Sequence, residues 1–117
     1  MRVIFDTSPV CYLLLIGEIE ILPILFDEIL IPPAVAAELG HPRAPSVLRN
    51  WIASPPVWLQ IHSPGPATGL DNLQAGEREA ILLGEGLMAD LVVLDDLAAR
   101  NTARERGAQN NGAPRNP

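Results

Sequence analysis

The chain has 117 residues, one domain's worth, and is 48% hydrophobic but only 4% aromatic, so aliphatic side chains must build its core. Its one cysteine, Cys11, excludes a disulfide framework and a cysteine-rich zinc site, and fits a reducing cytoplasm. Fourteen acids against eight basic residues give a net charge of −6, which argues against a nucleic-acid-coating surface though not against a small catalytic contact with nucleic acid. All eight basic residues are arginine. Without lysine, a P-loop, a Schiff-base enzyme and a phospho-acceptor receiver domain are all excluded. His41 and His62 stand in proline-rich loops, so a multi-histidine metal site is not expected. Charge is uneven: residues 1–97 hold 13 acids and 4 arginines, whereas residues 98–117 hold 4 arginines and one glutamate. Acids or prolines interrupt every apolar run before about 18 residues, and no signal-like segment opens the chain, so neither export nor a membrane span is expected.

Arg2 to Phe5 reads as a buried strand ending at Asp6. Ser8 as N-cap and Pro9 at the first helical position predict a helix over Pro9 to Ile16, stopped by Gly17. A short helix follows from Glu20 to Phe26, then a strand at Ile29 to Ile31. Pro32-Pro33 opens a third helix containing Ala34 to Leu39, ended by Gly40. The segment 32–66 holds 8 of the 12 prolines, and is expected to contain a helix near Ser46 to Ala53 and a strand at Val57 to Ile61. A turn from Ser63 to Gly69 precedes a helix over Asn72 to Ala89. The last strand is Leu91 to Leu94, running into Asp95-Asp96, and a helix from Leu97 to Arg106 ends at Gly107. Residues Ala108 to Pro117 hold no leucine, isoleucine, valine or aromatic, and read as a disordered tail. Unbroken aliphatic strands alternating with helices imply an α/β fold, with a central, mostly parallel sheet flanked by helices in three layers.

In such a sheet a ligand site lies beyond the carboxyl ends of the strands, where the strand order reverses. Two strands end in acid there, at Asp6 and at Asp95-Asp96, whereas Asp90 starts its strand and belongs to the opposite edge. Glu38 lies on the small-residue helix, and Glu77 opens the long helix after Gly76. Glu79 shares a stripe with Leu82, Leu83 and Gly86, so periodicity barely separates it from Glu77, which shares one with Ala80, Ile81 and Gly84. The helix start favours Glu77, because backbone amides there stabilise an anion. Carboxylates converging on one edge without lysine repel strongly. Hard divalent cations, Mg2+ or Mn2+, are the natural counter-charge, and they serve phosphodiester chemistry.

These residues resemble a PIN domain, the metal-dependent ribonuclease fold of many bacterial toxins (VapC-like ribonucleases), and more closely a branch of short PIN-like proteins. The resemblance starts at VIFDTSPV (Val3 to Val10), passes through ILIPPAVAAEL (Ile29 to Leu39) and finishes at GEREAILLGEGLMADLVVLDDLAAR (Gly76 to Arg100). It implies that Asp6, Glu38, Glu77 and Asp95 are catalytic and, with Asp96, hold the metal. Glu77 stands where most relatives carry aspartate, which leaves Glu79 as its competitor. RNA would be the substrate, and the partners would be a small antitoxin protein and a second copy of the chain, in a cytoplasmic homodimer with no membrane involved. Arg100 is a candidate RNA contact. Relatives continue past this helix into another strand and helix, so the resemblance implies a domain over 1–107 that lacks these last elements. The rival reading is a non-catalytic PIN remnant that binds protein. A two-aspartate phosphatase is ruled out because Asp6-Thr7-Ser8 has no second aspartate two residues on. Cys11, Trp51 and Trp58 read as core or interface residues, and Glu18, Glu20, Asp27 and Glu28 as solvated ones.

Overall fold

The computed structural model describes residues 1–65 and 73–94. Its strands are β1 (Arg2–Phe5), β2 (Glu28–Ile31), β3 (Leu59–Ile61) and β4 (Leu91–Val93). Its helices are α1 (Thr7–Leu15), α2 (Leu22–Leu25), α3 (Pro33–Leu39), α4 (Ser46–Ala53) and α5 (Ala75–Leu87), with a 3-10 turn at Ile19–Ile21 before α2. The sheet is parallel throughout, in the order β3-β2-β1-β4. Register aligns Val3 with Ile29 and Leu91, and Ile29 with Leu59. The chain steps one way from β1 to β3, then crosses back to β4 on the far side of β1. Because parallel crossovers are right-handed, stepping back moves the covering helix to the other face. The strand order therefore reverses between β1 and β4, and the carboxyl ends of those two strands flank the crevice.

Side-chain alternation divides the core accordingly. Val3, Phe5, Ile29, Ile31 and Val93 pack with Val10 and Leu14 of α1, Val35 and Leu39 of α3, and Leu48 of α4. Ile4, Leu30 and Val92 point the other way, onto Ala80, Ile81 and Leu83 of α5. Both faces of the sheet are covered, which is why β1 and β2 are apolar after their first residues, Arg2 and Glu28, and β4 throughout.

Several expected boundaries move. Asp6, not Ser8, caps α1: its side chain accepts from the Thr7 amide at 2.7 Å, and the helix begins two residues before Pro9. The expected helix over Glu20 to Phe26 is a 3-10 turn followed by a single α-turn, with Pro23 inside its start. β3 begins at Leu59 because Val57 is fully exposed and Leu59 donates back to the Pro56 carbonyl in a turn. α5 stops at Leu87, where Met88 adopts a left-handed conformation (φ 52°) and the Ala89 amide bonds the Gly84 carbonyl. The expected helix from Leu97 and the tail from Ala108 lie outside the described residues. No single helix among the described residues is long and apolar enough to cross a membrane.

α5 comes close to the sheet at Gly84. A Cβ at this position would stand 2.5 Å from Cγ2 of Val92, a fully buried, β-branched side chain with no room to yield. Gly84→Ala gains about 1 kcal/mol of helix propensity but overpacks this contact at about 1–3 kcal/mol. Chemical denaturation is expected to show a net loss of about 1 kcal/mol. A more stable variant would contradict the close approach.

Candidate functional site

The site grows from the end of β1. The Asp6 amide donates to the Val93 carbonyl at 3.0 Å, carrying the β1–β4 pairing one residue past the strand. Its side chain is 4% exposed, the only buried charged side chain among the described residues. Burying a carboxylate is costly without polar partners, and the Thr7 amide at the start of α1 supplies one. The same turn projects the Thr7 hydroxyl, which donates to Oε2 of Glu38 on α3. Glu38 is itself exposed, so the pair joins a buried anchor to a carboxylate open to solvent.

Gly76, in the first turn of α5, closes the group. A Cβ on it would lie 3.0 Å from Oε1 of Glu38, 3.1 Å from Oδ1 of Asp6 and 3.2 Å from Oγ1 of Thr7. Three elements thus meet at one point, and only a residue without a side chain fits without displacing a neighbour. The amino end of α5, with its favourable potential for anions, stands beside the two carboxylates. Glu77 is the next residue, half-buried in the same turn.

Glu79 is placed differently. Its Oε1 accepts from the Ala34 amide at 3.0 Å, at the amino end of α3. The candidate third acids are therefore separated by position: Glu77 belongs to the turn at Asp6 and Glu38, whereas Glu79 reaches one helical turn away. Asp95, Asp96 and Arg100 lie outside the described residues, which end at Leu94, one residue past β4. Among the described residues, no group of three His, Cys, Asp or Glu side chains is placed to hold a metal ion. The structure thus brings Asp6 and Glu38 together, with Glu77 adjacent. Their donors are all carboxylate oxygens, the chemistry that suits hard divalent cations.

Asp90 stands at the opposite edge, where its side chain accepts from the Arg2 amide at 2.7 Å. Glu28, read as solvated, pairs there with the Arg2 guanidinium at 3.3 Å. Trp51 and Trp58 pack against each other, 6.0 Å between centroids, and on the core. Sequence reasoning missed Thr7 and the cradle role of Gly76. Their only signal was adjacency, Thr7 following Asp6 and Gly76 preceding Glu77.

Cys11, half-buried on α1, senses the same site. Burial first, and then the negative charges of Glu38 and Asp6, push its thiol pKa up. The thiolate fraction is thereby lowered in mildly alkaline solution. Alkylation at pH 8 is expected to be slower than in the unfolded chain. Glu38→Gln should speed it, by roughly twofold, because one of the opposing charges is removed. An unchanged rate would place Glu38 too far from Cys11 to act on it.

A search among curated proteins finds no match. A family model described as DUF3368, PIN domain, matches residues 2–113, which is nearly the whole chain and includes Asp6, Glu38, Gly76 and Glu77. PIN domains are generally nucleases and usually use divalent metals. The reversal of strand order beside a carboxylate pair, together with that match, shows that the chain belongs to the PIN-domain family and has its nuclease-type fold.

Proposed function

We propose that this protein is a divalent-metal-dependent endoribonuclease, hydrolysing RNA phosphodiester bonds at the carboxyl edge of β1 and β4. The observation that carries the reading is the meeting of Asp6, Glu38 and Thr7 over Gly76, at the start of the helix that bears Glu77. Asp6 and Glu38 are the residues that would hold Mg2+ or Mn2+, with Glu77, Asp95 and Asp96 completing the set directly or through water. Such an ion supplies the charge that activates water and offsets the negative charge developing on the phosphodiester. The chain's own residues do the positioning. Asp6 is immobilised by burial and by the Thr7 amide, and the Thr7 hydroxyl fixes one oxygen of Glu38. Gly76 keeps space open above them, and Arg100 would contact the RNA backbone.

The biological setting in this reading is the toxin half of a toxin–antitoxin pair, in the cytoplasm, as a homodimer that a small antitoxin protein binds. An apolar face supports the partner part of it. Tyr12 and Leu15 on α1, and Ile24 and Leu25 on α2, are 65%, 59%, 81% and 59% exposed. Beside them runs a groove of about 380 Å³ walled by Phe5, Tyr12, Leu22, Leu25, Phe26 and Val93. Apolar surface of this kind marks protein–protein contact. The same face favours a second reading, a protein-binding PIN module without catalysis.

The two readings separate in one assay. The full chain with Mn2+ should cleave a mixed RNA substrate, stop on addition of chelator, and lose roughly 100-fold or more of its rate as Asp6→Asn. Cleavage that survives Asp6→Asn would come from a contaminant and sink the nuclease reading at this site. A chain that binds no Mn2+ and cleaves nothing would overturn the nuclease reading and leave the second.

A further inference from the structure

The first turn of α3 has no capping side chain ahead of it. Its N-cap is Pro32 and its first residue Pro33, so no side-chain hydroxyl or carboxylate precedes the helix to take its free amides. Pro33 has no amide hydrogen to satisfy. The amides of Val35 and Ala36 both bond the Pro32 carbonyl, at 3.1 and 3.2 Å. The remaining one belongs to Ala34, and Glu79 takes it from another helix. The carboxylate thus does from α5 what a serine or aspartate ahead of the helix would ordinarily do. It is a charge-assisted bond at the positive end of a helix.

The bond also has a geometric consequence. Ala34 and Glu38 are four residues apart on α3, and Gly76 and Glu79 three apart on α5, so each pair lies along one face. The two helices therefore touch at two rungs: Ala34 amide to Glu79 carboxylate, and Glu38 carboxylate against the Gly76 backbone. Fixing the first rung fixes the spacing and rotation of α3 at the second. Glu38 receives its other constraint from the Thr7 hydroxyl.

We propose that Glu79 is a positioning residue of the carboxylate site: acting through α3, it sets where Glu38 stands, and it does not itself bind the metal. This rests on the reading of Asp6 and Glu38 as a divalent-cation site and deepens it. A hydrogen-bond acceptor is all the role requires, so the amide oxygen of glutamine should serve. A metal ligand, by contrast, would need the negative charge.

Calorimetric titration of Mn2+ into the full chain separates these cases, with circular dichroism and hydrogen exchange at the Ala34 amide as folding and contact readouts. Glu79→Gln should bind Mn2+ within about twofold of the unmodified chain and keep Ala34 protected. Glu79→Ala should weaken binding by roughly tenfold, the scale of losing a residue that orients a ligand, and expose Ala34 to exchange. Glu38→Gln should abolish saturable binding while leaving Ala34 protected. Loss of binding in Glu79→Gln as complete as in Glu38→Gln would make Glu79 a ligand and overturn the proposal. Unimpaired binding by Glu79→Ala would overturn it alone. No saturable binding by the unmodified chain would remove the cation site, and this role with it.

Discussion

α5 can lie down on the sheet because positions 76, 80 and 84, successive turns of one face, carry nothing larger than a methyl group. Gly84 lets the helix settle against Val92, and Gly76 lets it pass between Asp6 and Glu38. The amino end of the helix is then carried to the crevice between β1 and β4, bringing Glu77 with it. A bulkier stripe would lift the helix and separate the elements that make the site. Burial of Ala80 and Ile81 on Ile4, Leu30 and Val92 supplies the apolar driving force for the same approach.

The electrostatics follow from that geometry. Asp6 is buried yet bonded, Glu38 is exposed yet tethered, and both face the positive end of a helix. Burial chiefly, and after it the negative potential of Glu38 and Asp6 on the α1 side, raises the Cys11 pKa. At the other edge of the sheet the pattern is different: the Arg2 guanidinium donates to the Leu87 carbonyl at 2.9 Å and pairs with Glu28, its amide donates to the Asp90 carboxylate, and its carbonyl accepts from the Asp90 amide. Cation and anion neutralise each other there. Thus carboxylates at one edge of the sheet are bonded to Arg2, and those at the other gather at a helix start, though composition treats them alike.

The parts of this arrangement governed by local pattern were legible in the sequence. β1, α4, the Pro32-Pro33 opening of α3 and the parallel sheet follow from apolar runs and punctuation by proline and glycine. Asp6 and Glu38 followed from strand-end logic and from the resemblance, and the structure brings them together. What was not legible depends on tertiary contact. Ser8-Pro9 carries a helix-start signature, but the Asp6 amide is still paired with Val93 while the Asp6 carboxylate takes the Thr7 amide, so the helix starts earlier, directly after the strand. Glu77 and Glu79 are indistinguishable by period, because the Ala34 amide that claims Glu79 is 45 residues away in the chain. Val57 belongs to the apolar run before β3, yet the Pro56 turn holds it in solvent.

The fixing of α5 at both ends bears on how such a chain can diverge. Its first turn is held at Gly76 and Glu79, and its last by the left-handed Met88 and by the Arg2 bond to Leu87. A substitution on its outer face leaves these anchors in place. An inserted or deleted residue between them does not, since each residue turns the helix by about 100° and would swing the small-residue face off the sheet. The length of this helix is therefore under stronger constraint than most of its side chains. Descendants of this sequence are free to change their letters on the outer face of α5 but not to change its count.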